Sequence, residues 1–440
     1  MKEKNDTRNP KLWRQPFFLG FLALVCVSSS AVFAVVMGLT PLKNQAFHLP
    51  HSRKNLTGLI PATLKQPVNI LILGIDNSGH PHQSQFSRDQ ALSGNSDTML
   101  LVRLLPDTHQ INILSIPRDT LVQLPSVSHA KINDANVRGG PKLAAEAVSH
   151  LLGDIPIDRY VRVDTEGFIH LVDALGGVEV NIPKQMNYTD HTQKLSIHFS
   201  PGLQKLNGQH LQEYVRFRHD DLGDIGRVQR QQEVLKNIIR TVLQPATIAK
   251  IPQILQVAKD NVDTDLTVQE MLAVTQTVGS SDRRQMHMIV LPGRFSRRDE
   301  YRLSYWIADP DLRTEIVSRY FNQASAKPIE NDVHLIPPQK QKLKIAVAMA
   351  TGKPEDGKTV VSFLRKQGFR NVYITRHEID TGVESARHTQ VIAQHGNPEA
   401  AYSVSNALGV GEVQVASIGD IFADVTVVVG ADLAEKGLQK

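Results

Sequence analysis

Between Gln15 and Leu42 the chain carries no charged residue, and Phe17 to Leu39 is mostly Phe, Leu, Ala and Val. At 1.5 Å of rise per residue, roughly 20 such residues cross the hydrocarbon core of a bilayer. The run is longer than the roughly 7–15-residue apolar region of a secretory signal. Lys2, Lys4, Arg8, Lys11 and Arg14 precede it, against only Glu3 and Asp6, and the positive-inside rule then leaves the N-terminus cytoplasmic. The expected layout is a cytoplasmic tail at 1–16, a transmembrane helix at 17–40 and everything beyond it outside, as in a type II single-pass protein of the cell membrane. The alternative is a long cleaved signal peptide, since Ala31-Val32-Phe33-Ala34 loosely resembles a cleavage site.

The remaining length bounds the rest. A chain of 440 residues exceeds one ordinary domain. With 41% hydrophobic and 21% charged residues, most of it should fold. The net charge of +5 permits anionic partners without demonstrating them. The single cysteine, Cys26, lies inside the apolar run, so no disulfide forms within the chain. Residues 41–65 read as a linker from the membrane.

Val68 to Gly74 is apolar almost throughout and reads as a buried strand. Thr98–Leu105 and Gln110–Ile116 are two more strands, with Pro106-Asp107 turning between them. Gly139–Leu152 has helical spacing, Tyr160–Val163 is a strand, and Phe168–Leu175 is a helix stopped by Gly176-Gly177 before a strand at Val178–Ile182. Val228–Leu243 is a helix. Residues 323–341, with Pro328, Pro337 and Pro338, have a linker composition. After them Lys344–Ala348, Asn371–Thr375 and Val425–Val429 alternate as strands with helices at Gly357–Gln367 and Asn397–Leu408, an order that predicts parallel strands. The fold class expected is α/β, with a mixed central sheet flanked by helices over 66–322 and a second small α/β unit over 342–440. Such a linker implies that the second unit is independent of the first and dispensable for its chemistry.

No phosphate loop, HExxH, GxSxG or CxxC motif is present. The chemical signal is a scatter of Asp and Arg at strand ends. Asp76 directly follows the first strand, at the sheet edge where ligands of open α/β sheets collect. Asp97 opens the next strand. Two carboxylates at one edge repel unless a cation or an Arg stands between them, and Mg2+ suits such an oxygen pair beside phosphates. The plainer reading is an Asx turn and a loop cap. Arg103 lies inside an apolar strand, where a charge is costly unless paired. Arg118 follows Pro117, which fixes the backbone ahead of it. An internal Arg–Asp pair would explain either arginine as well as a ligand would. Arg216 and Arg218 are two apart, on one face if the segment is extended. Arg227 and Gln231 are four apart, on one face of a helix, with Arg230 beside them. Guanidinium forks match phosphate oxygens bidentately, although charge runs are more often solvated faces. Nucleic acid is not expected, given the interleaved Gly and Asp and the outside placement.

Taken in order, LILGID, SDTMLLV, IPRDT, KINDAN, LVDALGGVEV, YVRFRH and GRVQRQQ resemble the LytR-CpsA-Psr family of envelope proteins. The resemblance covers roughly 66–245, and residues 341–432 resemble, more weakly, the small C-terminal domain that often follows. It implies a phosphotransferase acting on a polyprenyl-pyrophosphate-linked glycan, with the lipid tail in a hydrophobic tunnel and a peptidoglycan hydroxyl as acceptor. It also implies Asp76 and Asp97 as carboxylate and Mg2+ (or Mn2+) positions. Arg118, Lys131, Arg216, Arg218, Arg227 and Gln231 are implied to hold the pyrophosphate. Where the family often has Arg two residues before the SDT aspartate, this chain has Asn95, a charge that Arg88 or Arg103 could supply. A non-catalytic lipid-carrier or wall-binding module and a transcriptional attenuator are the alternatives. The second would need its basic face in the cytoplasm, where the topology leaves only the short tail.

Overall fold

The apolar strand Val68–Asp76 lies inside the main sheet. In a computed structural model of the chain, residues 64–76, 92–190, 195–217, 224–242, 244–248, 250–281, 285–322, 340–350, 354–375 and 387–436 are described. The expected membrane segment at 17–40 lies outside these residues, and among the described residues no helix is long and apolar enough to cross a membrane.

Strands β1 (Val68–Asp76), β2 (Asn95–Leu105) and β3 (Gln110–Ser115) are followed by a hairpin of β4 (Leu121–Leu124) and β5 (Val127–Lys131), then β6 (Arg159–Asp164). Next come β7 (Val178–Ile182), β8 (Met186–Asp190), β9 (Leu195–Phe199), β10 (Gly202–Leu206), β11 (Val262–Thr264) and β12 (Met286–Val290). Six of these form the main sheet in the order β11-β6-β1-β2-β3-β12. It is mixed: β1 runs antiparallel to β2 and parallel to β6, and β12 runs parallel to β3. One face, with Leu71, Leu73, Met99, Leu101 and Leu114, packs on Ala144 and Val148 of the helix Asp134–Leu151. Burying each large side chain contributes about 1.5–3 kcal/mol. The other face is covered by the helices Asp224–Val242 and Val268–Ser280. There Ile72, Val102, Val161, Leu235, Ile239 and Val274 are only half-buried although they meet an apolar layer.

The helix after KINDAN starts earlier than its apolar spacing indicates, at Asp134. Gly139 and Gly140 break it just before Pro141, because Pro lacks an N–H and keeps its predecessor out of the helical region. The helix Thr165–Leu175 ends as expected. Gly176 takes a left-handed φ of 84°, and the Gly177 N–H reaches back to the Val172 carbonyl at 3.0 Å.

Past β12 the chain adds a hairpin of β13 (Gly293–Phe295) and β14 (Trp306–Ala308), then the helical segment Pro310–Phe321. The second unit holds β15 (Lys344–Met349), β16 (Asn371–Ile374), β17 (Gln390–Ala393), β18 (Glu412–Val415) and β19 (Val425–Val429), ordered β16-β15-β19-β17-β18. The expectation of parallel strands fails at one pair: β17 runs antiparallel to β19. The helices Pro354–Lys366 and Pro398–Leu408 carry parallel crossovers, whereas β18 reaches β19 through a loop that reverses the chain.

The two units share one apolar cluster, running from Leu114 through Ile289, Ile316 and Phe321 to Ile345 and Phe369. Ser417 closes the edge of β12: its N–H donates to the Met288 carbonyl at 2.7 Å, and its hydroxyl accepts from the Val290 N–H at 2.8 Å. Gly396, at φ 77°, lets Ile289 and Tyr320 approach where a Cβ would sit 3.1 Å from each. The Tyr320 hydroxyl donates to the Gly396 carbonyl at 2.7 Å, and Arg319 pairs with Glu399 at 2.9 Å. Beside this junction His287 is half-buried, its Nδ1 2.7 Å from Asn112 Oδ1. Burial, and then the Arg319 charge, push it down to about 4.

Candidate functional site

The site forms where β1 and β2 stop being regular. Gly74 faces Thr98 while Ile75 faces Ser96, so Asp97 is the extra residue of a bulge. Bulges re-aim a side chain at a sheet edge. Asp76 ends β1 one step further, opposite Asn95. The structure thus brings the two expected carboxylates to the same edge.

Arg118 comes to them from the loop after β3. The Thr120 hydroxyl and N–H both donate to the Pro117 carbonyl, at 2.6 and 3.0 Å, closing a tight turn around Arg118. Arg118 Nη1 then donates to Asp97 Oδ2 at 2.7 Å, each side chain 21% exposed. Asp119 stands 3.8 Å from Arg118 Nε and 2.8 Å from Lys131 Nζ. The result is an alternating row of Asp97, Arg118, Asp119 and Lys131. Gln231, on the helix Asp224–Val242, lines the same pocket as Asp97 and Arg118.

KINDAN explains its own position here. The Asn133 N–H donates to the Arg118 carbonyl at 3.2 Å, and its carbonyl accepts from the Ser96 N–H at 3.4 Å, which ties the two halves of the site together. Asn136 Nδ2 donates to the carbonyls of Leu92 and Gly94, at 2.9 and 2.8 Å, and so holds the segment entering β2.

The other expected residues fall elsewhere. Arg103 is not at this edge. It faces Asn69 near the start of β1, 2% exposed, and donates to Asn69 Oδ1 at 3.2 Å and the Asn322 carbonyl at 3.0 Å. The apolar strand pays its cost of a buried charge with hydrogen bonds at the far end of the sheet, so a pyrophosphate role for Arg103 is corrected to a structural one. Arg216 ends the helix Gly208–Arg216 and is not part of an extended run. Arg218 and Arg88 lie outside the described residues. Arg227 is one turn before Gln231 on the helix, and its side chain also lies outside them. Arg230 is buried, donates to the Phe217 carbonyl and stacks 5.3 Å from the Phe217 ring, holding YVRFRH against the helix.

Three contributors were missed by sequence reasoning. Asp119 directly follows Arg118 in IPRDT, and that adjacency was the available signal. Arg162 on β6 pairs with Asp263 at 2.6 Å and reaches Asn136 Oδ1 at 3.3 Å, bracing the KINDAN side. Trp306 lines the pocket beside Phe295, its backbone N–H donating to the Asp119 carbonyl at 2.9 Å.

The donor set suits a hard cation. Among the described residues no cluster of three or more His, Cys, Asp or Glu occurs, and Mg2+ typically takes one or two carboxylates with phosphate oxygens completing its shell. Asp76 and Asp97, the latter with Oδ2 held by Arg118, are the carboxylates at this edge that could hold such an ion.

The LytR_cpsA_psr family model matches residues 42–320, and the LytR_C model, described as LytR cell envelope-related transcriptional attenuator, matches 342–433. The chain is 33% identical over 247 residues to the polyisoprenyl-teichoic acid–peptidoglycan teichoic acid transferase TagV of Bacillus subtilis (strain 168), covering 55% of this chain and 61% of that one. It is 32% identical over 285 residues to the similarly named TagU of Oceanobacillus iheyensis, covering 61% of this chain and 82% of that one. The crystal structure of B. subtilis TagV matches with a TM-score of 0.49 and 31% identity, over 58% of this chain and 95% of that one. The first curated relatives are matched over only 54–66% of their own length.

Proposed function

We propose, from the premise that this chain belongs to the LytR_cpsA_psr family, that it transfers a phosphate-linked glycan from a polyprenyl-pyrophosphate carrier to a peptidoglycan hydroxyl at the outer face of the cell membrane. The observation that carries this reading is the alternating row of Asp97, Arg118, Asp119 and Lys131 beside Gln231 at the bulged sheet edge. The teichoic acid transferase names of the relatives support the same chemistry.

Phosphoryl transfer asks a protein for position and charge neutralisation more than for covalent chemistry. On this reading Arg118 and Lys131 exchange part of their pairing with Asp97 and Asp119 for pyrophosphate oxygens. Gln231 donates to the same group, and Arg218 and Arg227 are the further arginines this reading assigns to it. Asp76 and Asp97 would hold Mg2+, which neutralises charge on the pyrophosphate. The acceptor oxygen attacks the glycan-bearing phosphorus, the bridging P–O bond breaks, and the electron pair leaves with polyprenyl phosphate. A carboxylate of the Asp76–Asp97 pair takes the hydroxyl proton. The half-buried apolar layer between the sheet and the helices Asp224–Val242 and Val268–Ser280 is where the lipid would lie.

The test is phosphorus NMR of the purified full chain with a synthetic polyprenyl-pyrophosphate saccharide, peptidoglycan fragments and Mg2+. The pyrophosphate resonances should give way to a phosphodiester and a phosphomonoester, and chelation should stop the change. Intact pyrophosphate in the presence of every component would contradict the reading.

A further inference from the structure

The second unit reaches into the pocket. Ile421, on the loop between β18 and β19, lines it together with Asp97, Arg118, Gln231 and Phe295. This loop is tightly held. Ser417, 1% exposed, fastens its start to β12 and donates to the Gln394 carbonyl at 2.6 Å. Asp420, 5% exposed, accepts from the Phe422 N–H and from the Tyr373 hydroxyl, each at 3.0 Å, and its own N–H donates to Thr426 Oγ1 at 3.0 Å. His395 Nε2 lies 2.9 Å from the Ile421 carbonyl. The backbone of Ile421 is therefore set from both sides, and its side chain is presented to the pocket on a rigid support.

The pocket lining combines polar and apolar groups. Its polar lining is Asp97, Arg118, Asp119 and Gln231. Its apolar lining includes Phe295, Trp306 and Ile421, with Phe295 38% exposed and its ring 5.1 Å from the Trp306 ring, edge to face. Binding sites commonly combine apolar walls with a few placed polar groups. A pyranose ring matches this pairing, because its C–H faces pack on apolar and aromatic surface while its rim stays polar. A phosphate ester of a sugar would place its anion at Arg118 and its ring against Phe295 and Ile421.

We propose that Ile421 of the C-terminal unit completes, with Phe295, a subsite for a pyranose ring next to the phosphate-binding row. This rests on the transferase reading, and it makes the C-terminal unit part of the site. The ring belongs either to the donor's first sugar or to the acceptor, and the same chemistry serves both.

The experiment is steady-state kinetics of the full chain and its Ile421→Ala and Phe422→Ser variants, with donor and acceptor varied separately. Melting temperatures are taken on the same samples. Ile421→Ala should raise the KM for one sugar-bearing substrate roughly tenfold, as expected for losing most of a buried aliphatic side chain, with kcat and Tm close to wild type. Phe422→Ser, in the same loop but outside the pocket lining, should leave both KM values unchanged. A rise confined to the acceptor assigns the ring to the acceptor. A rise confined to the donor, absent with a sugar-free polyprenyl pyrophosphate, assigns it to the donor. Unchanged KM values in an active background, or a fall in Tm that accounts for the loss, overturn this inference alone. A wild-type chain inert on the donor overturns the transferase reading and this inference with it.

Discussion

Arg118 Nη1 lies 2.7 Å from Asp97 Oδ2, across a β-bulge that turns Asp97 out of the ladder and toward the loop after β3. The internal pair and the proposed phosphate clamp thus share Arg118. An arginine already held by a carboxylate is aimed in advance, so less side-chain freedom is lost when it meets an anion.

Arg118→Ala should cut turnover roughly a hundredfold or more, as removal of one preorganised donor to a developing charge does. Its stability cost should be only about 1 kcal/mol, because both side chains are partly solvated. Arg118→Lys should restore activity only in part, since an ammonium cannot reproduce the fork. Activity and melting temperature on the same variants check this; a large fall in Tm would show that the pair is structural.

Arg103→Ala should behave in the opposite way. It strips Asn69 Oδ1 and the Asn322 carbonyl of a buried donor, which should cost about 2–3 kcal/mol. Donor KM should not change at a temperature where the variant stays folded. Denaturant melts and donor titrations together provide the check, and a raised KM without lost stability would return Arg103 to the site.

His287 predicts an acid limit to stability. Its folded value, about 4, lies below the ordinary histidine value because of burial and then Arg319. Between about pH 6.5 and 4 the unfolded chain takes up a proton that the folded chain refuses, so stability falls as pH falls through this window. The full loss is about 3 kcal/mol. His287→Gln should flatten the profile there, as read from denaturant midpoints at a series of pH values.

Ending the chain at residue 322 should destabilise what remains. The linker composition implies a dispensable C-terminal unit, but Ile289, Ile316, Tyr320 and Phe321 pack in a cluster that continues into β15. The truncated protein should melt lower and bind a hydrophobic dye that the full chain does not. An unchanged melting temperature would restore the reading of independent units.

Much of this was legible in the residues. VNILILG and VTVVV are apolar on both faces, which only a doubly covered strand needs. IPRDT could be read because Pro117 restricts the backbone just ahead of the charged residue. Arg103 announced that it had a partner but not which, since its acceptors lie 34 and 219 residues away. The hairpin β4–β5 was missed because Val127–Lys131 includes exposed Ser128 and His129 and shows no apolar run. β17 was missed because Gln390–Ala393 is too short to show a period. Ile421 was beyond any local pattern: an isoleucine in a loop acquires meaning only from what the rest of the fold sets against it.

The central claim is tested most directly by mass spectrometry of the acceptor. Full-length chain is incubated with polyprenyl-pyrophosphate-linked saccharide, peptidoglycan fragments and Mg2+, beside the Arg118→Ala variant. The account predicts an acceptor heavier by one glycan phosphate, with one polyprenyl monophosphate released per adduct, and loss of both products in the variant. An unmodified acceptor with wild-type protein, or equal adduct from the variant, would contradict it.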